Sequence, residues 1–152
     1  MRKEIWIAPV VFAADQGTKK AAVFIPSEGM TLIPGILSLR YTRNTGMAFS
    51  LLSGHPWLLG LGSLIILAGA FFFLRKKEIP RFPFIGLMLM AGGAAGNMTD
   101  RLFLGYVPDM IEVLFVQFAV FNLADVVITI GCGLIILWLL FGRDQSSKSS
   151  SR

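Results

Sequence analysis

The sequence predicts an integral membrane, all-α protein of four transmembrane helices, with both termini cytoplasmic and a small extracytoplasmic sheet. Three observations lead there. Only 15% of the 152 residues are charged and 55% are apolar, with a mean hydropathy of +0.70, whereas a soluble domain carries about 25% charge. Uncharged runs recur at close to membrane-spanning length. The basic residues gather between those runs, mostly on one side.

The first helix is expected at about residues 5–24, although Asp15, Gln16, Lys19 and Lys20 interrupt it. Arg2 and Lys3 ahead of an apolar stretch also resemble a signal peptide. Cleavage after Ala14 would set Phe12 where a small side chain is required, so the segment reads as a retained helix. Next, Leu37, Leu39 and Tyr41 alternate with Ser38, Arg40 and Thr42, the period of a half-buried strand. The sheet is expected at about residues 30–52 and 105–120. Pro56 to Leu74 is 19 residues without charge, enough to cross about 30 Å of hydrocarbon at 1.5 Å per residue. The uncharged runs Phe82–Asn97 and Val126–Phe141 each reach that length with one outer turn added, giving helices at about 82–101 and 121–141. Those added turns carry Asp100 and Asp125. The Ser- and Lys-rich residues 146–152 should be a disordered tail, leaving residues 1–145 as a single membrane-embedded domain.

Orientation follows from charge, because basic residues stay on the cytoplasmic side. Nine Lys or Arg fall at the start, between the second and third spans and in the tail; the outer loops hold Arg40 and Arg43, with Arg101 at a helix end. The net charge of +5 therefore does not indicate nucleic acid, since no basic face with interleaved aromatics accompanies it. Cys132 is the only cysteine, which excludes an intramolecular disulfide. In its apolar run it should be a buried, un-ionised thiol. His55, the only histidine, sits beside Pro56 and reads as a residue opening a helix; a metalloprotease would need several ligands.

Charged groups inside a membrane cost several kcal/mol unless paired or hydrated, so they mark candidate sites. Asp100 lies 19 residues past Arg81 and Asp125 lies 18 before Arg143, which puts both roughly 27–29 Å from the cytoplasmic interface. Asp15, 12 residues past Lys3, should be deeper, about 18 Å up. Depth alone thus pairs Asp100 with Asp125. Asp15 and Lys19, four apart, can form a buried ion pair that fixes helix position. Asp100 and Arg101 read as a local helix-end pair ordering the loop. Asn97 shares their face, and Asn122 shares that of Asp125. Gly92 and Gly96 form a small-xxx-small pair for close helix packing.

Asp109 and Asp125 have no cation at helical spacing, and Asp109 is approached through the turn-like Gly105–Pro108. One reading makes them ordinary hydrogen-bonded interfacial carboxylates. The other is a dyad: two close carboxylates cannot both ionise, so they share a proton. One can then deprotonate water while the other donates to a scissile carbonyl oxygen. A serine–lysine pair of Lys19 or Lys20 with a loop serine such as Ser50 has no spacing to support it. A proton-relaying transporter would spread ionisable groups through the full depth, but the second helix has none. A membrane scaffold without chemistry is the third alternative.

Five segments resemble the lipoprotein signal peptidases (signal peptidase II), in order and across nearly the whole chain. They are Asp15-Gln16-Gly17-Thr18-Lys19, Asn44-Thr45-Gly46-Met47-Ala48-Phe49, Gly92 through Arg101, Val107-Pro108-Asp109-Met110-Ile111 and Phe121-Asn122-Leu123-Ala124-Asp125. The resemblance implies an aspartic endopeptidase of the bacterial inner membrane that cuts diacylglyceryl-modified prolipoproteins at the lipobox cysteine, near the extracytoplasmic face. It implies Asp109 and Asp125 as the catalytic pair, replacing Asp100 in the depth-matched pair, with no metal or organic cofactor. Asn44, Gly46, Asn97, Arg101 and Asn122 match positions near the active site, and Asp15, Lys19 and Asp100 match supporting ones. Sensitivity to the cyclic peptide globomycin, a β-cradle over the helix ends, contact with membrane lipids and a monomeric state complete the expectation. Pro108, Glu112 and Val126-Val127 depart from the residues common in the family.

Overall fold

A computed structural model describes residues 2–46, 55–75 and 77–142. A 3-10 turn, Lys3–Trp6, leads into α1 (Ile7–Ala22). His55 takes the N-cap position of α2 (Pro56–Leu74), with Pro56 at its first turn, where a missing N–H removes nothing the helix would use. α3 spans Arg81–Phe103, and α4 spans Leu123–Leu137 before a π-helical turn, Trp138–Gly142.

α3 is the central helix, and glycines set how closely its neighbours approach. A Cβ on Gly92 would lie 2.6 Å from the Ala8 carbonyl oxygen, and one on Gly93 2.7 Å from that of Ala124. Gly92 meets Ala8 and Val11, and Gly96 meets Asp15, so α1 runs parallel to α3. Gly93 meets Ala124 while Gly86 meets Gly131, so α4 runs antiparallel to it. Gly60, near the start of α2, meets Leu102 near the end of α3, so α2 is antiparallel as well. The start of α1 and the end of α4 therefore share one end of the bundle, and the sheet covers the other.

That sheet is antiparallel, ordered β1 (Met30–Ile33), β2 (Leu37–Asn44), β3 (Val107–Val113). It is shorter than expected. Strand structure stops at Asn44 and at Val113; residues 114–120 form no strand, and 47–52 lie outside the described residues, as do Ser50 and the expected tail. The alternation also fails partway. Ser38, not its leucine neighbours, is the buried residue of β2. Its hydroxyl reaches the Met30 carbonyl at 3.4 Å, and a bulge beyond Leu39 breaks the period of two.

Burial runs opposite to that of a soluble domain. The buried charged or polar residues include Asp15, Lys19, Asn97, Asp100, Asp109 and Asn122, whereas Ile66 is 72% exposed, Phe71 64% and Phe141 70%. Cys132 is exposed on α4 and not buried as expected, because its apolar run turns that face outward. Among the described residues one helical stretch, Leu123–Gly142 with mean hydropathy 2.4, is long and apolar enough to cross a membrane; Pro56–Phe72 is a shorter apolar helix. α1 and α3 carry four of the buried polar residues, Asp15, Lys19, Asn97 and Asp100, along their facing sides.

Candidate active site

Asp125 is positioned by the start of α4. Asn122 is the N-cap: its side-chain oxygen accepts from the Asp125 N–H at 3.1 Å, and Asp125 Oδ2 accepts from the Asn122 N–H at 3.2 Å. This reciprocal capping box satisfies two otherwise unpaired helix donors. It also holds a carboxylate at the positive end of the helix dipole.

Asp109 arrives from the other direction. Gly105, at φ 76°, takes the left-handed conformation that side chains disfavour and turns the chain out of α3 into β3. In the ladder Asn44 pairs with Val107 and Thr42 with Asp109. Beyond them Arg40 and Tyr41 of β2 lie opposite Met110 alone, a bulge of the kind that re-aims side chains. Asn44 Nδ2 reaches Asp109 Oδ2 at 2.9 Å, and the Asn44 side-chain oxygen is held by the Gly46 N–H at 3.0 Å.

Two further amides join the carboxylates. Asn122 Nδ2 donates to Asp109 Oδ1 at 2.6 Å and to Asn97 Oδ1 at 3.2 Å. Asn97 Nδ2 donates to Asp125 Oδ1 at 2.9 Å. Asp109 is only 2% exposed, and burial pushes its carboxyl up to about 6, against the Asn44 and Asn122 hydrogen bonds and with the Asp125 charge adding to the rise. Asp109 therefore keeps its proton up to about pH 6. An amide-bridged pair of this kind can hold one proton and present it, together with an ionised carboxylate, to a bound water and a carbonyl.

Behind the pair lies a second cluster. Lys19 Nζ meets Asp15 Oδ2 at 2.7 Å, Asp100 Oδ2 at 2.7 Å and Asn97 Oδ1 at 2.8 Å. Asp15 Oδ1 accepts from the Ala124 N–H at 3.0 Å. Gln16, absent from the candidate residues despite lying within the Asp15–Lys19 segment, donates to Asp100 Oδ1 at 3.1 Å.

Two expectations change here. Asp100 pairs with Lys19, not with Arg101, since adjacent helical residues point to different faces. Arg101 instead donates to the carbonyls of Gly46 at 3.2 Å and Asn97 at 3.5 Å, and its Nε has no hydrogen-bond partner among the described residues. Asp15 is also not far below the rest: it lies opposite Gly96 and bonds to Ala124, while Lys19 reaches Asp100. Flanking cations are a poor ruler because long side chains reach along the helix. Ala8, the second residue of α1, already lies opposite Gly92, eleven residues past the start of α3, so α1 begins well above it. All ten candidate residues thus belong to one connected region, reached from α1, β2, α3, β3 and α4. No group of three or more His, Cys, Asp or Glu side chains suited to a metal occurs among the described residues.

Residues 7–141 match the sequence model of a family described as signal peptidase (SPase) II. A lipoprotein signal peptidase of Lactobacillus gasseri is 41% identical over 142 residues, covering 91% of this chain and 92% of the relative. One of Trichormus variabilis is 41% identical over 153 residues, covering 97% and 94%. A solved structure described as a bacterial membrane enzyme superposes with a TM-score of 0.81 at 35% identity, covering 95% of this chain and 90% of that one.

Proposed function

Because the chain belongs to the signal peptidase II family, we propose that it removes signal peptides from diacylglyceryl-modified prolipoproteins at the lipobox cysteine, as an aspartic endopeptidase. The observation that carries this reading is the pair Asp109 and Asp125, joined through Asn122 and Asn97 and making no ion pair within 4 Å among the described residues. In the proposed reaction one ionised carboxylate takes a proton from water as the oxygen attacks the scissile carbonyl carbon. The protonated carboxyl gives its proton to the carbonyl oxygen. Collapse of the resulting diol breaks the C–N bond, returns a proton to the leaving amine and leaves the pair with one proton again. Burial of Asp109 favours it as the initial proton holder.

All four helices are proposed to span a bacterial inner membrane, with both termini cytoplasmic and the sheet on the outer face. The exposed Ile and Phe surface, the buried polar interior and the alternating helix directions support this. So does the likeness to solved membrane enzymes. A substrate held in the outer leaflet by its acyl chains would present its scissile bond near the sheet end of the bundle. The reaction is proposed to need no metal or organic cofactor, to be blocked by globomycin and to proceed in a monomer.

The test is cleavage of a purified diacylated prolipoprotein by the purified protein, with and without globomycin. Cleavage that stops in Asp109→Asn and in Asp125→Asn is the expected result. Near-normal processing by either folded variant removes the aspartate pair from the mechanism.

A further inference from the structure

Lys19 makes no contact with Asp109 or Asp125 through its own hydrogen bonds, yet its ammonium is linked to both. An ammonium has three donors and no acceptor, and here Asp15, Asp100 and Asn97 take all three. We infer that Lys19 is a positioning residue: acting through Asn97, it fixes the direction of the amides behind Asp109 and Asp125, so that both carboxylates meet hydrogen-bond donors on the protein side. This rests on the aspartate-pair reading and adds the group that sets its polarity.

The chain of constraints starts at the Asn97 carbonyl. It accepts from Lys19 Nζ at 2.8 Å and from Asn122 Nδ2 at 3.2 Å, the first shorter and charge-assisted. A flipped Asn97 would set its NH2 group against an ammonium and against another amide NH2. Its Nδ2 must therefore face Asp125 Oδ1. Asn122 is fixed as well, because its oxygen holds the Asp125 N–H and its two Nδ2 protons go to Asn97 and Asp109. An ammonium on the carbonyl also polarises the amide and strengthens its N–H as a donor. A proton carried by the pair then meets donors on the protein side and is directed toward the other carboxylate or the substrate.

Lys19→Met alone would strand two buried carboxylates. The double variant Lys19→Met/Asp100→Asn removes one positive and one negative charge and leaves the net charge of the cluster unchanged. The groups around Asp125 that must stay constant are Asp109 on β3, Arg101 on α3 and Asp15 on α1. Turnover of a diacylated lipopeptide is measured across pH in detergent, beside thermal unfolding. Expected are a folded protein, KM within about twofold and kcat lower by about tenfold or more.

A folded double variant with wild-type kcat overturns the inference. Should the double variant not fold, Asn97→Asp decides: it keeps an acceptor for Lys19 but offers no amide donor to Asp125. A tenfold or greater loss of kcat supports the inference, and wild-type turnover overturns it. Processing by Asp125→Asn would remove the aspartate pair itself. Inactive Asp109→Asn and Asp125→Asn beside an unaffected double variant would remove only the role of Lys19.

Discussion

Two pairs of aspartates share one hydrogen-bond network, and each is held differently. Asp15 and Asp100 have one ammonium between them, which pairs with both, and every proton of Lys19 is engaged. Asp109 and Asp125 have two asparagines between them, which donate hydrogen bonds but carry no charge. The first arrangement ties two carboxylates to one cation and so favours a fixed structure. The second leaves two carboxylates that share amide partners without an ion pair among the described residues, the setting for a proposed shared proton. Four aspartates, three buried and Asp125 half-buried, thus fall into two pairs by what lies between them, a structural pair and the proposed chemical one, with Asn97 the residue common to both.

The sharpest way to break this division is to neutralise each pair in turn. Asp109→Asn or Asp125→Asn should lower processing of a diacylated prolipoprotein by roughly 10³-fold while the variant keeps its wild-type unfolding temperature. Asp15→Ala should do the reverse. It leaves Lys19 short of a counter-ion and the Ala124 N–H unpaired, costing about 3–5 kcal/mol of stability, with turnover per folded molecule affected less. Unchanged thermal stability in detergent together with collapsed turnover would place Asp15 in the chemistry instead.

Packing gives a smaller effect. A Cβ on Gly96 would collide with Asp15 Oδ2, so Gly96→Ala should cost about 1–3 kcal/mol, read as a lower unfolding temperature; wild-type stability would show that Asp15 can give way. The smallest effect concerns Asn44, whose hydrogen bond favours ionised Asp109. Asp109 releases its proton as pH rises through about 6. Asn44→Ala removes a donor to the ionised form, so the proton should be kept to higher pH. The alkaline limb of kcat/KM should then move up by roughly half a pH unit. A downward shift would assign that limb to another group.

Much of this was legible in the residues, for identifiable reasons. The uncharged run from Pro56 to Leu74 is one helix, as a 19-residue apolar stretch opened by a proline anticipates. The spacing of Gly92 and Gly96 anticipates the close approach of α1. The Asp15–Lys19 interval of four anticipates their ion pair. Motif order linked Asp109 with Asp125, where depth alone had chosen Asp100. Three features were not legible. The partner of Asp100 depends on which face of α3 meets α1, the bulge opposite Met110 depends on how two distant strands pair, and the level of Asp15 depends on where α1 starts relative to α3.

Local order and chemistry, then, were determined by the sequence itself. Hydrophobic run length dictates the helices, charge placement suggests their direction, and residue type supplies the carboxylates, the amides and the buried Lys19 cation. Only the tertiary structure decided which groups share an acceptor. Asn97 joins the two aspartate pairs because helix packing brings residues 78 positions apart to 2.8 Å. Spacing along one helix cannot report a hydrogen bond made between two.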